Sequence, residues 1–131
     1  MEIHFKIIGV LLIALSFMHV IFPRYFNWSK ELVSLSLVNR QMMYVHTFFI
    51  ALVVFLIGVL CLTSSEELLS TGLGKKIVLG FGVFWSVRLL MQFFGYSSAL
   101  WKGKFKETVI HIIFSLFWTY LTVIFFTSYW I

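Results

Sequence analysis

Four stretches of this chain are apolar almost without interruption, and each is long enough to cross a bilayer: residues 6–22, 42–62, 76–96 and 108–130. A spanning helix takes about 20 residues, so four of them use up most of a chain of 131 residues. In hydrocarbon every backbone amide has to find its partner inside the protein, and apolar runs of this length without period-two alternation select the helix. The composition agrees: 61% of residues are hydrophobic and 11% charged, against about 25% charged in a soluble domain. Disordered, collagen-like, disulfide-scaffold and ordinary soluble-enzyme classes are excluded on that ground. The expected fold is an all-α integral membrane protein, an antiparallel four-transmembrane-helix bundle forming one domain over residues 1–131.

The connections add detail. Pro23 is expected to end the first span, because proline cannot continue a helix without losing a backbone bond. Ser29 can cap the run 30–38, where Leu32, Leu35 and Trp28 supply an apolar face. That run is read as a short interfacial helix in the first loop. The first apolar segment lacks a basic n-region and a small-residue cleavage pattern, and so reads as a retained helix. No internal repeat or low-complexity segment is visible.

The charged residues are seven Lys, three Arg and five Glu, with no Asp, for a net charge of +5. They form no basic run and no polar groove, so a nucleic-acid partner is excluded. Their distribution is topological. Arg24, Lys30, Arg40, Lys102, Lys104 and Lys106 fall in the first and third loops, while Lys6, Lys75 and Lys76 fall on the opposite side. The positive-inside rule then places the two basic loops in the cytoplasm and both termini outside. The expected setting is a multi-pass protein of a bacterial inner membrane. The lone Cys61 allows neither an internal disulfide nor dithiol chemistry.

Within the spans the polar residues are few, and they share one depth. Up-and-down topology puts His19 at the end of span one, His46 and His111 near the starts of spans two and four, and Arg88 with Gln92 toward the end of span three. At 1.5 Å per residue the histidines come out about 6–9 Å below the interface that carries the basic loops, with Arg88 a little deeper. Gln92 follows Arg88 by four residues and lies on the same helical face. In span four, Thr108, His111, Ser115, Trp118, Thr119 and Thr122 form a polar stripe. Stripes of this kind turn inward, since lipid leaves donors and acceptors unsatisfied. Gly58, Gly80 and Gly82 in the remaining apolar part are expected to allow close packing.

A single intramembrane histidine more often bonds a neighbouring helix than a ligand, but three at matched depth on three spans point to shared use. Arg88 is the stronger signal. A guanidinium inside a span costs several kcal/mol and normally has a named partner, yet no carboxylate lies within any span. Only Glu31 and Glu107, outside the spans, share its side.

The leading expectation is a one-sided intramembrane polar pocket. His19, His46, Arg88, Gln92 and His111 would form it, with Asn39, Gln41 and Glu31 at its mouth. Its occupant would be a metal ion held by His19, His46 and His111, a b-type haem, or a small anionic or lipidic ligand anchored by Arg88. Di-iron carboxylate chemistry and a Ser–His–Asp hydrolase are disfavoured for want of the acids. A second expectation is a non-catalytic subunit of a larger membrane complex, with a membrane-protein partner or further copies of the chain, in which the polar groups serve only interhelical packing. A third is an enzyme that uses the histidines as acid and base on a lipid-phase substrate.

Overall fold

The computed structural model describes residues 1–131. It is 86% helical and contains no strand. Its helices are α1 (Glu2–Tyr25), α2 (Trp28–Glu31), α3 (Leu37–Thr63), α4 (Ser65–Ser70), α5 (Gly72–Phe94) and α6 (Phe105–Trp130), with a 3-10 turn at Ser98–Leu100. Four of them, α1, α3, α5 and α6, are long and apolar enough to cross a membrane. The chain divides into two units, Glu2–Ser65 and Glu66–Ile131, and each is built on a pair of long antiparallel helices.

In the first unit α1 packs on α3 at a point where neither helix has a side chain. A Cβ on Gly9 would lie 2.7 Å from the Gly58 carbonyl oxygen and 2.9 Å from the Leu62 nitrogen; one on Gly58 would lie 2.9 Å from the Gly9 oxygen. Small residues let backbones approach this closely, and the dispersion contacts of the two helices gain from it. Away from the crossing, Phe17 meets Phe55 edge-on at 6.4 Å and Trp28 meets Tyr44 at 5.5 Å. The succession 9 with 58, 17 with 55 and 28 with 44 makes the pair antiparallel.

The connection differs from the sequence expectation in two ways. Pro23 lies inside α1, which runs on to Tyr25. Proline removes only its own bond to the His19 carbonyl, and the following turn is still closed by Phe26 N–H donating to the Phe22 carbonyl at 2.9 Å. The helix instead ends at Asn27, whose φ of 56° is left-handed, a conformation Asn tolerates better than most residues. The loop helix over 30–38 is also shorter than expected. It comprises only Trp28–Glu31, and the Ser29 hydroxyl turns toward Asn27 Oδ1 (3.5 Å) instead of capping it. Only the end of that run, Leu37 and Val38, belongs to α3, because Ser36 accepts from Asn39 N–H at 3.3 Å and starts the long helix at Leu37.

In the second unit a corner joins α4 to α5. The Thr71 hydroxyl donates to the Glu67 carbonyl at 2.8 Å and accepts from Gly74 N–H at 2.9 Å, so one side chain closes α4 and caps α5. Gly74 leaves no room there: a Cβ would fall on the Glu67 carbonyl and lie 2.6 Å from Leu68 Cα. Gly74→Ala is therefore expected to cost about 1–3 kcal/mol, read as a lower melting midpoint of the full chain in detergent. An unchanged midpoint would mean that the corner yields.

Beyond the corner α5 and α6 pair antiparallel. Phe81 meets Phe125 at 5.3 Å, Trp85 stacks on Trp118 at 5.2 Å with the rings 9° apart, and Gln92 reaches His111. Gly82 admits the Phe126 ring, to which a Cβ would come within 2.9 Å. Gly58 and Gly82 thus pack closely as expected. Gly80 does not: nothing lies within 4 Å of a Cβ built on it.

Candidate functional site

The polar residues of the second unit converge on the Gln92 side chain. Gln92 is buried, at 7% exposure, although it is two residues from the end of α5. Its Oε1 accepts from Trp118 Nε1 at 3.2 Å and from Arg88 Nη1 at 3.3 Å. Its Nε2 lies 2.8 Å from His111 Nδ1. Arg88 precedes Gln92 by one helical turn, which puts the two on one face. His111 and Trp118 lie two turns apart on α6, the spacing that presents both to the same neighbour.

The orientation of the amide follows from its neighbours. Arginine and the tryptophan N–H can only donate, so the oxygen of Gln92 has to face both and its NH2 has to face His111. His111 Nδ1 then accepts, and the ring is the neutral form with its proton on Nε2. The reversed amide would set donors against donors at both Arg88 and Trp118.

Aromatic rings enclose this network. The Arg88 guanidinium carbon lies 4.8 Å from the centroid of the Trp118 ring and 5.5 Å from that of Tyr96, both within cation–π range. Trp101, from the α5–α6 connection, stacks on His111 at 3.8 Å with the rings 10° apart, and Phe93 meets the same imidazole edge-on at 5.7 Å. The Thr108 hydroxyl donates to the Trp101 carbonyl at 2.5 Å and ties the connection down beside the imidazole.

Two donors are left over. Arg88 makes one hydrogen bond, to a neutral amide, and has no carboxylate beside it. Trp85 Nε1 is buried and has no partner at all. The other polar groups of the expected stripe are satisfied within their own helix: Ser115 donates to the His111 carbonyl at 2.7 Å, Thr119 to Ser115 at 2.8 Å and Thr122 to Trp118 at 2.8 Å.

The remaining candidates belong to the first unit. His19 is half-buried; its Nδ1 lies 2.9 Å from the Leu15 carbonyl of its own helix and its ring packs on Phe22 at 4.7 Å. His46 is exposed on α3, as is Asn39 in its first turn, and Glu31 is exposed at the end of α2. In neither unit do three His, Cys, Asp or Glu side chains gather into a group able to hold a metal. Each unit thus holds part of the expected set: Arg88, Gln92 and His111 are brought together in one, and His19 and His46 lie in the other.

Sequence reasoning undervalued the aromatic residues. Tyr96 and Trp101 stand at the end of the third apolar stretch and just beyond it, where aromatic residues ordinarily mark a membrane interface; Trp118 entered only as one member of a stripe, and Trp85 carried no signal. The usable clue was the spacing of Trp85, Arg88 and Gln92, which puts an aromatic ring and a cation on one face. No family model, curated protein or solved structure matches the chain.

Proposed function

We propose that this chain is a multi-pass membrane protein whose α5–α6 pair binds an anionic amphiphile at Arg88, with Gln92, His111 and Trp118 as the polar frame. The four long apolar helices are its spans, and the basic connections, with Lys102, Lys104 and Lys106 above this site, lie on the cytoplasmic side. The observation that carries the reading is the unmatched cation. Insertion scales put an arginine at the centre of a span at about 2.5–3.5 kcal/mol, and Arg88 lies six residues inside the end of α5. One long bond to an amide and two ring faces leave most of its N–H groups without an acceptor. A headgroup anion removes that deficit, and its acyl chains lie where the surrounding helix faces are apolar.

Among the ligands the sequence suggested, this one fits the unit best. A metal would find a single imidazole here, whose Nδ1 is already engaged by Gln92. An anion finds a guanidinium with donors to spare.

Arg88→Gln tests the proposal. The full chain is reconstituted in nanodiscs containing phosphatidylglycerol and phosphatidylcholine, and the lipid that stays bound is counted by native mass spectrometry. A hydrogen bond to a charged group contributes about 1.5–3 kcal/mol, so the variant should retain phosphatidylglycerol about tenfold less well or worse, while phosphatidylcholine is unaffected. Equal retention by the folded variant and the parent protein would overturn the reading. Displacement of the lipid by inorganic phosphate would show that the amphiphile is not the ligand.

A further inference from the structure

The hydrogen-bond logic at Gln92 reaches further than the presence of a cation. Its single oxygen is taken up by two donors, and its NH2 is directed at an imidazole nitrogen. The amide therefore commits its whole accepting capacity to Arg88 and Trp118. It offers nothing to a ligand except through the residues it holds. His111 is stacked on Trp101 and accepts at Nδ1, which leaves its proton on Nε2.

We infer that Gln92 is a specificity-determining positioning residue: it holds His111 as the Nε2–H tautomer and leaves Arg88 uncompensated, so that the groups it holds present donors and take a headgroup whose contacting atoms only accept. This rests on the binding of an anionic amphiphile at Arg88 and names its class. The class is a carboxylate or a phosphodiester that brings no ammonium group of its own. An ethanolamine or choline headgroup brings a cation toward Arg88 and, for ethanolamine, further donors toward an amide oxygen that Arg88 and Trp118 already occupy. Like charges and unpaired donors in a desolvated site discriminate more strongly than the attraction of a matching headgroup does.

The isosteric change Gln92→Glu separates this from a purely structural role for the amide. A carboxylate can accept at both oxygens. One oxygen would pair with Arg88 and Trp118, and the other would now require a proton on His111 Nδ1. The cation would acquire an internal partner, and the imidazole tautomer would reverse. Shape and volume would change little.

The experiment has two readouts on the full chain in nanodiscs. In the unmodified protein, 15N NMR of labelled histidine should show His111 protonated at Nε2 and bare at Nδ1; the reverse pattern overturns the inference whatever the variant does. In Gln92→Glu the proton should appear at Nδ1, and the preference for retaining phosphatidylglycerol over phosphatidylethanolamine, about tenfold or more in the parent, should fall to near unity. Loss of retention in Arg88→Gln together with an undiminished preference in Gln92→Glu would overturn this inference and leave the binding site standing. Unchanged retention in both variants would remove the binding site and the inference together.

Discussion

Replacing Trp118 by alanine is expected to be among the most damaging single changes to the second unit, costing about 3–5 kcal/mol, the range for truncating a buried Trp or Phe. Trp118 is 3% exposed and serves three neighbours at once. Its ring is stacked on Trp85 at 5.2 Å, it carries the Arg88 guanidinium at 4.8 Å, and its N–H supplies Gln92 Oε1 at 3.2 Å. Whatever surrounds the helices, the cavity and the forfeited dispersion are part of that cost. Trp118→Phe separates the contributions. It keeps an aromatic face for Trp85 and Arg88 and removes the N–H, so its cost should be nearer 1 kcal/mol, the net worth of a single hydrogen bond. Chemical or thermal denaturation of the full chain in detergent measures both. A Trp118→Phe variant as unstable as Trp118→Ala would mean that the hydrogen bond, and not the stack, holds this part of the helix pair.

The crossing of α1 and α3 should be almost as intolerant. Gly9→Val or Gly58→Val is expected at the upper end of the range of about 1–3 kcal/mol for overpacking, or beyond it. The atoms a new side chain would strike are backbone: the Gly58 oxygen at 2.7 Å and the Leu62 nitrogen at 2.9 Å for Gly9, the Gly9 oxygen at 2.9 Å for Gly58. No rotamer change can move them, so the helices must separate and lose their packing around the crossing. Both clashes are relieved by the same separation of the helices, and the double variant should therefore cost less than the sum of the two singles. Gly80→Ala is the control. A Cβ there meets nothing within 4 Å, and the improved helix propensity, about 0.5–1 kcal/mol, should leave the protein as stable as before or slightly more so. Equal losses at Gly9 and Gly80 would show that the crossing is not a backbone contact in the membrane.

The four long helices were legible because apolar length alone announces them, and their ends were less so. Pro23 failed as a stop because a proline deletes one bond without affecting the donors that follow it, and Asn27 took over the role through its backbone conformation. Ser29 failed as a cap because its hydroxyl turns back to Asn27, and Ser36, seven residues on, holds the Asn39 N–H and starts α3 at Leu37. Local propensity offered both serines; only the path of the chain chose between them. Gly80 shows the same limit, since a glycine within a span says that close approach is allowed and not that anything approaches.

The site was legible in its parts. Arg88 stood out because a cation within a long apolar helix demands a reason, and the spacing to Gln92 was read correctly as one face. Two further things depended on tertiary structure. Gln92 is the hub, since a glutamine four residues from an arginine is unremarkable until Trp118 and His111 arrive from α6 to occupy its oxygen and its nitrogen. The aromatic enclosure by Trp101, Tyr96 and Phe93 is the other, because residues that mark a membrane interface by composition line a site only when the connection folds back on the helix.

By itself, then, the sequence determined the class of structure, the number of long apolar helices and the presence of a cation without a carboxylate in its span. These follow from how many apolar residues stand in a row and from which charges are missing, and both are properties of one dimension. Partners are a property of three. Which groups meet, which donors are satisfied and which stay open was decided where α5 and α6 pack, because a hydrogen bond requires two atoms within about 3 Å and the chain separates Gln92 from Trp118 by 26 residues.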